Sequence, residues 1–222
     1  MDNLIVYGVG SLRSLRVHWI LHELNIPYKT EPIQSRSEQT KTSAYSAIHP
    51  GRKIPCLQDG SFIISESAAI CIYLAEKYGE GKFLPNSDLE QRSRFFQMCF
   101  YVMTELDAHT LYIIAKHGGS LVEYYQPSPE AVEVAISGFN QQILVAESWL
   151  KDPKSYLLGQ TFTVADILLC TCLVSALRLA VQFPLQIPDR LVAYMENLQA
   201  RRAFQLAEIA NQNRRDRAPI NS

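Results

Sequence analysis

A chain of 222 residues with 47% hydrophobic side chains is long enough to bury a substantial core, as one or two domains. Its 21 basic and 22 acidic residues leave a formal net charge of -1, which gives no general case for nucleic acid or an acidic membrane surface as partner. Five cysteines, an odd number set in apolar segments, fit reduced thiols in a cytoplasmic protein rather than a disulfide framework. The N-terminus lacks the basic, apolar and cleavage regions of a secretory leader. The apolar run 167–174 is too short to span a bilayer.

Residues 4–7 form an apolar run that reads as a buried strand. The turn Gly8-Val9-Gly10-Ser11 follows, and Ser11 or Ser14 can cap the next helix. That helix covers 14–25, with Val17, Ile20, Leu21 and Leu24 on one face, and the residue before Pro27 disfavours its continuation. Residues 28–33 read as a second strand, which Pro32 assigns to a sheet edge. After a polar segment, 43–48 is a short helix. Residues 54–57 and 61–64, joined through Asp59-Gly60, form a hairpin. Residues 67–78 return to helical spacing through Ala68, Ile70, Cys71, Leu74 and Ala75. The order β-α-β then β-β-α predicts a mixed sheet.

Residues 81–88 carry the turn residues of a linker, and the strand pattern largely ends there. Beyond it the chain is predicted to be all-helical. A long helix runs over 89–116, and another over 129–150 is opened by Ser128-Pro129. Thr163-Val164-Ala165-Asp166 is a capping box before a helix apolar on most sides, hence central to its domain. Two last helices cover 189–198 and 203–210. Arg214-Arg215-Asp216-Arg217 reads as a solvated tail. Cys170 and Cys172 have no matching Cys or His pair nearby, so a metal site is not expected.

The stretch from Gly51 to Ser67 organises the chain. Pro55 near the start of a strand and Glu66-Ser67 at the start of a helix read as one half of a site for a small charged peptide. Taken with Ser11-Leu12-Arg13-Ser14 and with Thr163-Val164-Ala165-Asp166, the order Ile54-Pro55, Glu66-Ser67-Ala68-Ala69-Ile70 resembles the cytosolic glutathione transferases along nearly the whole chain. Phi-like features are mixed with bacterial and fungal ones. The resemblance implies a thioredoxin-like α/β domain with a mixed four-stranded sheet over 1–80, a linker over 81–88, and an all-helical domain over 89–222. It implies glutathione as cosubstrate, a small electrophile as substrate, a homodimer, and no metal, nucleic acid or membrane.

Carried over residue by residue, the resemblance makes Pro55 the cis-proline and gives the Ile54 backbone to the cysteinyl part of glutathione. Glu66 and Ser67 receive its γ-glutamyl end. Lys41 and Lys53 are candidates for the glycyl carboxylate, although Thr40 and Arg52 depart from the family pattern around it. Ser11 is the first choice to stabilise the thiolate, with Ser14 and Tyr7 as alternatives. Arg13 adds positive potential or faces solvent. Tyr101, Glu105, His109 and Tyr112, about one helical turn apart, are candidates to contact the electrophile. Glutathione-dependent isomerisation, peroxide reduction and non-catalytic ligand binding are the alternatives to transfer. A serine rather than a cysteine at the first-helix start disfavours disulfide exchange.

Overall fold

The alternation of Leu4 and Val6 with Ile5 and Tyr7 builds strand β1 (Leu4–Val9), buried on one face and half-buried on the other. The computed structural model describes residues 4–85, 88–152 and 155–212. The basic tail at 214–217 and linker residues Asn86 and Ser87 lie outside the described residues. The chain divides into two units, one of residues up to Glu80 joined by those from Arg201 onward, the other from Gly81 to Ala200.

The first unit follows β1 with α1 (Leu12–Leu24), β2 (Lys29–Gln34), the short helices α2 (Glu38–Lys41) and α3 (Ser43–Ile48), β3 (Cys56–Asp59), β4 (Phe62–Ser65) and α4 (Ser67–Tyr78). The sheet order is β2-β1-β3-β4. Strand β1 runs parallel to β2 across the α1 crossover and antiparallel to β3, and β3 pairs antiparallel with β4 through the Asp59-Gly60 turn. The expected mixed four-stranded sheet is therefore present, and Pro32 lies on an edge strand, where its missing N–H costs no ladder bond. Helix α1 begins two residues earlier than its apolar pattern suggests, because Ser11 rather than Ser14 is the N-cap. Strand β3 opens at Cys56, after a cis Ile54-Pro55 bond.

Two features of this unit escape the sequence pattern. Every residue of α1 from Ser14 to Leu21 is buried, polar ones included, where a one-sided apolar face was expected. Helix α10 (Arg202–Asn211) packs along one side of α1, while α4 and the sheet cover the sides that carry Arg16 and His18. Phe204 meets Trp19 edge-on at 4.9 Å, and the Arg201 guanidinium donates to both Glu23 oxygens at 2.6 and 2.7 Å. The helices expected after the linker are present, and the last of them groups with the first unit, where Phe204 finds its aromatic partner on α1.

The second unit contains α5 (Leu89–Tyr101), a π-helical segment (Val102–Leu111), α6 (Tyr112–His117), a 3-10 turn (Val122–Tyr124), α7 (Pro129–Trp149), α8 (Val164–Ala180) and α9 (Asp189–Gln199). The single long helix expected over 89–116 is helical throughout but widens in its middle. There Thr104 and Thr110 donate their hydroxyls to the carbonyls of Phe100 and Leu106, competing with the α ladder, and the Tyr112 N–H reaches back five residues to Asp107. Helix α8 is buried on nearly all sides, as its continuous apolar run requires. No helix among the described residues is long and apolar enough to cross a membrane.

Candidate active site

At the N-terminus of α1, the Ser11 Oγ accepts from the Ser14 N–H at 3.0 Å, and the Ser14 Oγ accepts from the Ser11 N–H at 3.1 Å. This reciprocal cap satisfies two N–H groups that the helix leaves without partners. The two hydroxyls lie 2.8 Å apart. Ser11 is half-exposed and Ser14 is fully buried, so of the two only Ser11 can meet a ligand directly. No acidic residue occupies the first turn, and the helix end keeps its positive potential.

Three residues upstream, Gly8 lies so close to Ile54 that an added Cβ would sit 2.7 Å from the Ile54 Cβ. Its φ of +128° also excludes most side chains. The approach brings the Ile54-Pro55 segment against the turn that carries Ser11. His18 fixes the same turn from below. Its Nε2 lies 3.2 Å from the Gly8 carbonyl and its Nδ1 lies 2.8 Å from the Tyr28 hydroxyl. With the carbonyl as acceptor, Nε2 carries the proton and Tyr28 donates to Nδ1. Burial holds the His18 pKa down at about 4, so the ring is neutral at physiological pH.

Helix α4 supplies the other end of the site. Glu66 is its N-cap, exposed, with a φ of +67° and no capping bond from its side chain. A non-glycine residue held in that region costs energy, and its carboxylate is not spent on the helix. Ser67, one residue on, is buried, and its Oγ accepts from the buried Arg16 guanidinium at 3.2 Å. Helix α1 thus connects the two ends. Ser11 caps it, and Arg16, five residues later, reaches Ser67. Two helix N-termini and a buried guanidinium together favour an anion.

The remaining candidates fall as follows. Tyr7 donates to the Gln58 Oε1 at 2.7 Å, and burial, Glu31 and Cys56 raise its pKa, so its proton is already used and is hard to remove. Lys53 is exposed, and its carbonyl accepts from Tyr45 at 2.6 Å. Arg52 before it has a φ of +52°. Lys41 is exposed and donates to Glu38 at 2.6 Å, while Thr40 is buried with its hydroxyl on the Ser37 carbonyl. Arg13 is half-exposed in the first turn of α1.

In the second unit, Tyr101 gives its hydroxyl to Gln142 and packs edge-on against Trp149 at 5.1 Å. Glu105 and His109 are 3.8 Å apart, with His109 well exposed. The Tyr112 ring carries the Lys116 ammonium at 4.5 Å. A cleft of about 390 Å³ in this unit is lined by His117, Val132, Ile136 and Phe183 among others, and by none of these four candidates.

All five cysteines are buried, and burial raises Cys56 to about 11 and Cys71 to about 12. Neither is a ready thiolate. Among the described residues no group of three or more His, Cys, Asp or Glu side chains is placed to hold a metal ion. Sequence reasoning missed Arg16 and Asn211. Arg16 lies among apolar neighbours of α1, a charge where the helix pattern is buried, and that oddity was its one signal. Asn211 had none. Its amide reaches the Ser11 turn from the far end of the chain.

This architecture is that of known proteins. Residues 10–77 match the family model of the glutathione S-transferase N-terminal domain, and residues 101–202 match that of the C-terminal domain. The theta-1 glutathione S-transferase of Rattus norvegicus is 29% identical over 66% of this chain. That match spans 62% of the rat protein, so the chain aligns with about three fifths of the length of such relatives. A theta-class glutathione S-transferase from Xanthomonas axonopodis pv. citri, solved with glutathione bound, covers 94% of this chain and 98% of its own at 20% identity, with a TM-score of 0.74. A glutathione transferase homologue from Drosophila mojavensis, also with bound glutathione, covers 95% of this chain and 94% of its own at 24% identity, with a TM-score of 0.79. Theta-class, bacterial and fungal proteins are among these relatives, where the sequence suggested phi-like features mixed with bacterial and fungal ones. The glutathione S-transferase hmp2 of Hypomyces subiculosus is 31% identical over 73% of this chain and 77% of its own. With both halves of the fold matched, the chain belongs to the glutathione S-transferase family.

Proposed function

We propose that this protein binds glutathione in the first unit, stabilises its thiolate at Ser11, and transfers it to a small electrophile. The observation that carries the proposal is the half-exposed Ser11 hydroxyl at the α1 N-terminus, on a turn pressed against Ile54. A free thiol titrates near 8.5. Lowering that by about two units requires about 2.7 kcal/mol of preferential thiolate stabilisation. A hydroxyl donor plus a helix N-terminus is of that order. The thiol proton leaves to water, the thiolate attacks carbon, and a C–S bond forms as the electrophile's leaving group departs.

At the other end, the γ-glutamyl ammonium is assigned to Glu66 and its carboxylate to Ser67, with the α4 N–H groups and the Arg16 charge behind it. The Ser67 oxygen accepts from Arg16, so its own proton remains for the ligand. The Ile54 backbone, ahead of the ladder that opens at Cys56, pairs with the cysteinyl residue. Lys53 and Lys41 are assigned to the glycyl carboxylate, Lys41 by leaving Glu38. Exposed His109 and half-buried Glu105 are proposed to meet the electrophile ahead of Tyr101, whose hydroxyl is committed to Gln142. A homodimer is part of the proposal, supported by exposed Leu89 and by Phe100, stacked on Phe96.

The test is glutathione binding by calorimetry, followed by turnover with aryl halides, epoxides and hydroperoxides. Micromolar to millimolar binding with conjugate formation is expected. No binding at millimolar glutathione overturns the proposal. Binding without turnover makes the protein a carrier, and activity confined to hydroperoxides makes it a peroxidase.

A further inference from the structure

Asn211, the last residue of α10, grips the turn that carries Ser11 at several points. The Gly10 N–H donates to the Asn211 backbone carbonyl at 2.8 Å and lies 3.1 Å from its Oδ1. The Asn211 Nδ2 donates to the Ser11 carbonyl at 3.0 Å. The buried Ser14 hydroxyl lies 2.7 Å from Oδ1. The position of the helix supports the grip. Arg201 holds Glu23 near the end of α1, Phe204 meets Trp19 in its middle, and Asn211 reaches its start, so α10 runs antiparallel along α1 for its whole length.

The protons decide what this grip does. A serine hydroxyl has a single proton to give. The Ser14 hydroxyl has acceptors in the Ser11 carbonyl at 2.9 Å and Asn211 Oδ1 at 2.7 Å, and it faces Ser11 Oγ at 2.8 Å. The Nδ2 bond to the Ser11 carbonyl fixes the amide orientation and so presents Oδ1 to Ser14. Once Ser14 donates to Oδ1, its lone pair faces Ser11, and the Ser11 proton must point outward or donate to Ser14. The Ser11 Oγ meanwhile already accepts from the Ser14 N–H. Ser11 is thereby kept as a donor, the role a thiolate needs.

We infer that Asn211 is a positioning residue, which sets the Ser11–Ser14 hydroxyl pair so that Ser11 presents its proton to the glutathione thiolate. The inference rests on the function proposed above. It places a determinant of thiol activation at the end of the chain's last described helix, some two hundred residues from the hydroxyl it governs.

The experiment measures the pKa of enzyme-bound glutathione from thiolate absorbance in the ultraviolet, with glutathione affinity by calorimetry alongside. Four proteins are compared: wild type, Asn211→Ala, Asn211→Asp and Arg201→Ala. Asn211→Ala is expected to raise the bound thiol pKa by about one unit, equivalent to about tenfold less thiolate near neutral pH. Glutathione affinity measured below the thiol pKa should change less than about twofold, because the Glu66–Ser67 end is untouched. Asn211→Asp keeps the acceptor but loses the Nδ2 donor and adds a negative charge, so it should raise the pKa at least as far. Arg201→Ala loosens the same helix at its other end and should lower stability while leaving the thiol pKa in place. An unchanged pKa in Asn211→Ala, or an equal shift in Arg201→Ala, overturns the role of Asn211 alone. A wild type that binds no glutathione, or binds it without lowering its thiol pKa, overturns the thiol-activation reading, and this inference with it.

Discussion

Two helices of this protein start with the same local device and use it in opposite ways. Helix α8 begins with Thr163 and Asp166 in a reciprocal cap, and α1 begins with Ser11 and Ser14 in another. In the first, both residues are fully buried. The Asp166 carboxylate accepts from the N–H groups of Leu157 and Thr163, from the Thr163 hydroxyl and from the Tyr194 hydroxyl, all within 3.0 Å. Burial still pushes its pKa up against those four donors, a measure of how far it is removed from water. The carboxylate can only accept, so every proton around it points inward. At α1 the partners are two hydroxyls, one of them reachable, and each can donate or accept. A cap built on a buried carboxylate, which can only accept, locks a core. A cap made of rotatable hydroxyls leaves a proton to be redirected toward a ligand.

The sharpest break between the two is expected from Asp166→Ala. It strands two buried N–H groups and two hydroxyls, and should cost about 4 kcal/mol in urea unfolding. Retention of wild-type stability would show that α8 is not locked as argued.

Acid should act on the α1 side instead. The His18 pKa falls from 6.5 in the unfolded chain to about 4 in the fold, so the unfolded state takes up the proton first. That stability is therefore fully present above about pH 6.5 and is lost as pH falls toward 4, up to about 3 kcal/mol. Urea midpoints of wild type and His18→Gln between pH 7 and 4 should converge in acid if the sign is right.

Ser11→Ala should reverse the Asp166 pattern. Stability should fall by only about 1 kcal/mol, the worth of an N-cap. Turnover near neutral pH should drop about a hundredfold as the thiol returns toward its free value. A Ser11→Ala protein with unaltered bound-thiol pKa would move the role to Ser14 or to the backbone.

Ser67→Ala should weaken glutathione about tenfold, the loss of one charge-supported hydrogen bond, with little change in thiol pKa. The smallest effect is expected for Tyr7→Phe. Its hydroxyl is given to Gln58, so the bound-thiol pKa should stay within about 0.3 units of wild type. A larger rise would return Tyr7 to the site.

Much of this was legible along the chain. The strands, the Asp59-Gly60 turn, the start of α4 at Ser67 and the Thr163–Asp166 cap are local events, set by side-chain period, turn residues and hydroxyl or carboxylate caps within a few positions. The widening of 102–111 was not, because α and π windings place apolar residues on closely similar faces and differ mainly in which carbonyl each N–H finds. Tyr101 looked available from its spacing and is committed to Gln142, a partner that only the packing of α7 supplies.

The sequence by itself determined the element order, the mixed sheet and the segments that carry Ser11, Ile54, Glu66 and Ser67, since those follow from residues near one another in the chain. The tertiary structure alone decided that α10 returns to cover α1. That return covers the Trp19 side of α1, while α4 and the first strand take up Arg16 and His18, and it brings Asn211 onto the Ser11 turn. Neither partner encodes the contact locally. It is held by Phe204 on Trp19 and by the two-bond Arg201–Glu23 pair, contacts between residues far apart in the chain that form only once both helices are in place.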